Sequence, residues 1–222
     1  MRSENVISPE QRLFQLLKET VSAGIALPTM YLLIRRYVEI IIIFISLPLI
    51  VPVFVLISIP VIFCFKGKIF YKQKRAGTNG IPFTIYKFKT MKDVSEDDYN
   101  YFNHCNERIT GLGGFLRRHR IDELPQILNV LKGDMSFVGP RPEIYELHTF
   151  FSGTIINYNF RKIIPQGITG WAQINFPHTV SIEGNREKLK YDLFYLNNLS
   201  LKMDIQILLK TLLIVFTGEK SE

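Results

Sequence analysis

The sequence predicts a mostly helical α+β protein attached to one face of a membrane, and three observations carry that expectation. Residues 40–65 form a run of 26 residues with no charge, interrupted by Pro48, Pro52 and Pro60. The stretch FYKQKRAGTNGIPFTIYKFKTM alternates like two short strands around a Gly-Thr-Asn-Gly turn. Apolar residues at helical spacing recur from Ile121 to Leu131 and through SLKMDIQILLKTLLIVF near the C-terminus. A chain of 222 residues suits one globular domain with an appendage. It divides into a lead-in over residues 1–34, a membrane segment over 35–66 and a globular body over 67–222.

The formal charge of +7 points to anionic partners such as nucleic acid, phospholipid headgroups or phosphorylated substrates. Nucleic acid is disfavoured, because the basic residues are interleaved with an apolar segment and no helix-turn-helix or RNA-binding motif is present. Cys64 and Cys105 lie far apart and form no CxxC pair, which argues against a disulfide framework or a structural zinc site. The lead-in has helical character in QRLFQLLKETV and PTMYLLIRR and is expected to lie on the membrane surface. Its first residues, MRSENVISPEQ, lack the basic-then-apolar plan of a secretory signal, which suggests a cytoplasm-facing protein.

As a straight helix the uncharged run would extend roughly 39 Å, enough to cross a bilayer. Its flanks argue otherwise. Arg35 and Arg36 precede it, and Lys66, Lys68, Lys72, Lys74 and Arg75 follow it, so both ends favour the cytoplasmic side. Interior prolines remove backbone donors and bend or break a helix. A re-entrant hairpin, broken at Pro52 or Pro48, satisfies both facts. In the second strand that follows, Ile85, Lys87, Lys89 and Met91 alternate with Thr84, Tyr86, Phe88 and Thr90, which predicts that both lysines share one face. The terminal helix, with Ser200 as N-cap, carries Lys202, Asp204 and Lys210 and is expected to be interfacial or docked, not spanning.

The densest chemistry lies in HRIDELPQILNVLKGDMSFVGPRPE. Ile121, Leu124, Ile127, Leu128 and Leu131 predict an amphipathic helix from about Asp122 to Lys132, with Pro125 in its first turn and Gly133 as its stop. Acids at a helix start can simply cap it. Capping needs one acid, however, and explains neither Arg117, Arg118 and Arg120 nor the Pro-Arg-Pro that fixes Arg141. A fixed carboxylate among cations suits attack on phosphorus, with an adjacent acid helping to hold Mg²⁺.

These residues, with RRYVE, FYKQKRAG, YKFKTM, PQGITGWAQIN and KYDLFYLNN…MDIQILLKT, resemble the monotopic phosphoglycosyl transferases, the bacterial sugar transferase family acting on polyprenyl phosphate. The resemblance implies a transferase at the cytoplasmic face of the bacterial inner membrane, with residues 67–222 as its catalytic domain. Its substrates would be a UDP-sugar and polyprenyl (undecaprenyl) phosphate. It makes Asp122 the nucleophile on the β-phosphate, with loss of UMP and formation of a phosphosugar-aspartyl intermediate, and Glu123 a partner in Mg²⁺ binding or proton transfer. Arg117, Arg141, Lys87 and Lys89 would bind substrate phosphate. Three positions depart from the family pattern: Val51 stands where a serine precedes the helix-breaking proline, Lys89 replaces an arginine, and Asn175-Phe176-Pro177 replaces Asn-Gly-Arg. The alternative is a non-catalytic basic module that binds anionic lipid.

Overall fold

The computed structural model describes residues 29–93, 108–177, 179 and 181–217. The lead-in over residues 1–28 and the His104-Cys105 pair lie outside them. The chain opens with a helix α1, Thr29–Cys64, followed by the hairpin β1, Phe70–Ala76, and β2, Pro82–Phe88. Next come α2, Gly111–Arg118, a 3₁₀ turn over Ile121–Gln126, α3, Ile127–Lys132, and β3, Met135–Val138. Then follow α4, Tyr145–Thr154, a 3₁₀ turn over Tyr158–Lys162, β4, Gln166–Thr169, α5, Trp171–Asn175, α6, Ile182–Asn197, and α7, Leu201–Thr217.

Helix α1 is long and apolar enough to cross a membrane. Helical backbone runs uninterrupted through Pro48, Pro52 and Pro60, so the break expected at Pro52 or Pro48 does not interrupt the helix. The missing amides deprive the carbonyls of Phe44, Pro48 and Leu56 of their usual donors. The first two losses lie one turn apart on one face and weaken the same side of the helix.

Both ends of α1 pack against the globular body. Near the start, the buried Arg35 donates to Tyr195 Oη at 2.9 Å and to Ser136 Oγ, and pairs with Asp204 at 3.4 Å. The Phe137 amide donates to Glu39 at 3.0 Å, and Arg36 donates to the Leu131 carbonyl at the end of α3 at 2.9 Å. Ile43 joins a core cluster with Ile85, Val130 and Met135. Near the other end, Val61 and Phe65 pack with Phe88 and Leu116, and the Phe54 ring lies 4.9 Å from that of Phe88. Between these contacts Phe44, Ile45, Leu49 and Leu56 are exposed.

The antiparallel hairpin pairs Phe70 with Phe88 through Ala76 with Pro82, around the expected turn. Asn79 and Gly80 take positive φ there, 56° and 75°, as a tight reversal requires. A second, parallel pair of four-residue strands sets Met135 beside Gln166 and Val138 beside Thr169. Helix α3 is tied to β2 through the fully buried Asn129, whose amide donates to Thr84 O at 2.7 Å and accepts from the Tyr86 amide at 3.2 Å.

The segment expected to be one helix from Asp122 is a 3₁₀ turn running into α3, which ends at Gly133 with φ 83° as expected. The change from three to 3.6 residues per turn rotates the apolar face. Val130 therefore enters the core, while Leu128, placed on the buried stripe by simple periodicity, is exposed. Helix α7 begins at Ser200, whose Oγ accepts from the Met203 amide at 3.3 Å. It buries Met203 and Ile207 and exposes Leu201, Leu209, Leu213 and Phe216. Asp204, an interruption on the apolar pattern, is buried and accepts from Tyr31 and Tyr195 at 2.5 and 2.6 Å, locking α7 to α1 and α6.

Candidate active site

The acid pair sits where α2 passes into the 3₁₀ turn. Helix α2 starts at Thr110, whose hydroxyl accepts from the Gly113 amide at 2.9 Å. Gly113 lies against β2's continuation so closely that a Cβ would meet the Thr90 carbonyl oxygen at 2.0 Å, so only glycine fits. That contact fixes α2 and the turn after it beside Lys87.

Within the turn, Asp122 and Glu123 diverge. Glu123 is buried and clamped: Lys87 Nζ donates to its Oε1 at 2.6 Å, and Arg141 Nη2 to the same oxygen at 2.7 Å. Asp122 is equally buried, yet its carboxylate takes no hydrogen bond or ion pair among the described residues. Neither acid caps the turn with its side chain, which removes the capping explanation of the pair. Burial pushes the Asp122 carboxyl up to about 6, opposed by Lys87 and reinforced by Glu123. Burial also acts to raise Glu123, but Arg141 and Lys87 overcome it and hold that carboxyl well below the usual range. Lys87 is itself lowered, because its burial outweighs the attraction of Glu123. One acid is thus a fixed anion, and the other stays uncommitted.

Arg141 is presented by a segment whose carbonyls are pinned in succession. Gly167 N donates to Pro140 O at 2.9 Å, Arg161 to Arg141 O at 3.1 Å, Arg75 to Pro142 O at 3.1 Å, and Ala76 N to Glu143 O at 3.0 Å. The two prolines supply no amide of their own, so this rigidity comes from partners distant in sequence. The fully buried Arg161 is held by Asp192 at 2.8 Å and by Glu143 at 3.3 Å. Gly170 packs backbone to backbone on Gly139, where a Cβ would meet the Gly139 oxygen at 2.1 Å. That crossing brings Gln173 to Arg141, whose Nη1 donates to Gln173 Oε1 at 3.0 Å. The Gln173 Nε2 amide is buried without a partner among the described residues.

The structure therefore gathers Asp122, Glu123, Lys87 and Arg141 into one site. Arg117 is exposed nearby, near enough to exert a weak downward pull on the Asp122 carboxyl. Lys89 lies apart. Strand β2 ends at Phe88, so the alternation that paired the two lysines stops there, and Lys89 instead pairs with Asp93 and lies 5.8 Å from the Phe65 ring centre. Sequence reasoning assigned no site role to Arg75, Gln173 or the supporting Arg161, and it noted Arg120 only as part of a basic run. The Arg-Ala-Gly at the end of the first strand and the Gln of Trp-Ala-Gln-Ile-Asn were the available signals.

Among the described residues no three His, Cys, Asp or Glu side chains gather as a metal cage. The donor set consists of Asp122 and the Oε2 of Glu123, since both cations bind Oε1. Mg²⁺ commonly takes one or two carboxylates and completes its shell with phosphate and water oxygens, and this pair fits that pattern.

A profile of bacterial sugar transferases matches residues 30–218. The chain is 36% identical over 197 residues to the UDP-N-acetylgalactosamine-undecaprenyl-phosphate N-acetylgalactosaminephosphotransferase of Aeromonas hydrophila, covering 88% of this chain and 47% of that protein. It is 36% identical over 189 residues to the UDP-glucose:undecaprenyl-phosphate glucose-1-phosphate transferase of Escherichia coli K12, covering 84% and 40%. It is 41% identical over 151 residues to the uncharacterized sugar transferase EpsL of Bacillus subtilis, covering 68% and 71%. The chain spans less than half the length of the first two of these relatives. With the match running from α1 through the acid turn to α7, the chain belongs to the bacterial sugar transferase family.

Proposed function

We propose that the chain transfers a sugar-1-phosphate from a UDP-sugar to polyprenyl phosphate, with release of UMP, and that Asp122 carries the phosphosugar between the two substrates. The observation that carries this reading is the unequal acid pair. Glu123 is locked by Lys87 and Arg141, while Asp122 is buried beside the same cations and takes no hydrogen bond among the described residues. A carboxylate without a protein partner, in a field that attracts anions, is equipped to attack phosphorus. The names of the relatives from Aeromonas hydrophila and Escherichia coli support the substrate pair.

In the first step an oxygen of ionised Asp122 forms a bond to the β-phosphorus of the UDP-sugar. The bond from that phosphorus to the bridging oxygen breaks, and UMP leaves with the electron pair. In the second step a phosphate oxygen of the polyprenyl phosphate attacks the same phosphorus. The acyl phosphate bond breaks, Asp122 is restored, and a polyprenyl-diphosphate sugar departs. Arg141 and Lys87 offset the charge that builds on the phosphoryl oxygens, and Gln173 fixes the Arg141 fork. Asp122 and Glu123 would hold Mg²⁺, which when bound neutralises diphosphate charge.

A lipid acceptor requires the site to lie at the headgroup plane. The contacts of α1 support a re-entrant arrangement at the cytoplasmic face of the inner membrane, because both its ends pack on one globular body. Ile43 belongs to the cluster of Ile85 and Val61 to that of Phe88, three residues along β2. That is about 10 Å of strand, against about 27 Å for a straight helix between Ile43 and Val61. A bend at the weakened Pro48–Pro52 face accommodates the difference. The test is UMP release by the full chain in nanodiscs, across a panel of UDP-sugars, with and without polyprenyl phosphate and Mg²⁺. Release that requires a UDP-sugar and intact Asp122 supports the reading; lipid binding without UMP release from any sugar leaves only the non-catalytic module.

A further inference from the structure

We propose that Arg120 is a substrate-binding residue of this site, and that its guanidinium receives a phosphoryl group of the substrate. The inference rests on the reading above that the site handles phosphate, and it adds a ligand which the sequence motifs did not single out. Arg120 is the corner between α2 and the acid turn: its amide donates to Arg117 O, and its carbonyl accepts from the Glu123 amide, each at 3.1 Å. It holds that corner in the left-handed conformation, φ 54° and ψ 18°. Residues with a Cβ are disfavoured there, and glycine would make the same turn at less cost. The turn itself therefore does not explain an arginine.

The other buried or half-buried cations around the site are committed, and Arg117 is exposed. Lys87 and Arg141 bind Glu123, Arg75 binds Pro142 O and the Gln73 side chain, and Arg161 and Lys188 bind Glu143. The Arg120 side chain makes no hydrogen bond or ion pair among the described residues, although it is only partly exposed. Two residues before Asp122, and bonded through its carbonyl to the Glu123 amide, Arg120 stands within electrostatic reach of both acids. A partly desolvated guanidinium without a partner is unfavourable until an anion arrives. Its planar fork matches two phosphate oxygens. The left-handed corner thus sets a guanidinium with no partner among the described residues next to the acid turn.

Two sources offer that chemistry, the nucleotide diphosphate and the lipid phosphate, and Arg120→Gly separates them. The glycine relieves the backbone and removes only the guanidinium, so the thermal midpoint should equal or exceed that of wild type. In the Asp122→Asn background, where no chemistry intervenes, Arg120→Gly should weaken UDP binding at least tenfold by calorimetry, with Arg120→Lys recovering part of the loss. If UDP binding is unchanged and the KM for polyprenyl phosphate rises tenfold instead, the phosphate held is the lipid's. Inorganic pyrophosphate, which needs neither nucleoside nor sugar, tests the same guanidinium even if UDP-sugar turnover fails. Affinities for UDP and pyrophosphate and a lipid KM that all match wild type in Arg120→Gly would overturn the proposal.

Discussion

Asp122→Asn separates catalysis from stability in a way that no structural role for this residue would produce. The side chain is buried, takes no hydrogen bond among the described residues, and has its carboxyl raised from 3.8 to about 6. A raised carboxyl means that the ionised form is better tolerated in the unfolded chain than in the fold. Ionised Asp122 therefore destabilises the native state, by an amount that grows as pH rises from about 4 to about 6 and is constant above. A shift of this size corresponds to about 1–3 kcal/mol once its sharing with Glu123 is allowed for. Asparagine is nearly isosteric and cannot ionise, so the variant should melt a few degrees higher than wild type at pH 7.5, by roughly 2–4 °C per kcal/mol for a chain of this size. Near pH 4 the gain should vanish. Turnover should fall about 1,000-fold or more, because an amide is a poor nucleophile at phosphorus. Scanning calorimetry at both pH values, paired with UMP release, measures both effects on one preparation. An Asn variant that melts lower at pH 7.5 and still turns over would refute the assignment.

Other parts of the arrangement give separate expectations. Arg141→Lys keeps the charge but cannot bridge Glu123 and Gln173 at once, so kcat/KM for the UDP-sugar should fall at least tenfold, about 1.4 kcal/mol in the transition state. Because Asp122 must be ionised to attack, kcat/KM should fall about tenfold per pH unit below about 6 and level off above it; a flat profile from pH 5 to 8 would contradict a nucleophilic carboxylate raised by burial. In a chain lacking Cys64 and Cys105, single cysteines placed beside Arg36 and Lys68 should both react with an impermeant reagent only from the cytoplasmic side. Labelling of either from outside would establish a span, and replacing Pro48 and Pro52 with leucine should shift the population in that direction.

The hairpin and the stop at Gly133 were legible because each is set by neighbours in sequence: Gly-Thr-Asn-Gly between alternating strands, glycine at a left-handed stop. Asp204 was misleading for the opposite reason. Its charge marks an interruption on a helical wheel, yet its partners Tyr31, Tyr195 and Arg35 lie on two other elements that periodicity cannot see. The same limit hid the parallel pairing of β3 with β4, two four-residue strands too short to show a period. It also hid the convergence of Arg75, Arg161 and Gln173 on the Arg141 segment, which exists only once Gly139 and Gly170 touch. Lys87 and Lys89 were read as a pair because alternation was extended one residue past the end of the strand. Local chemistry singled out the acid pair, and long-range packing decided which cations stand beside it.

Whether Asp122 carries the phosphosugar is read by intact-protein and peptide mass spectrometry on the full chain given a UDP-sugar and Mg²⁺ but no polyprenyl phosphate. Wild type should gain the mass of one phosphosugar on the peptide containing Asp122, release one equivalent of UMP, and lose the adduct when polyprenyl phosphate is added, while Asp122→Asn should gain nothing. An adduct on Glu123, or full turnover with no adduct at any time, would contradict the account.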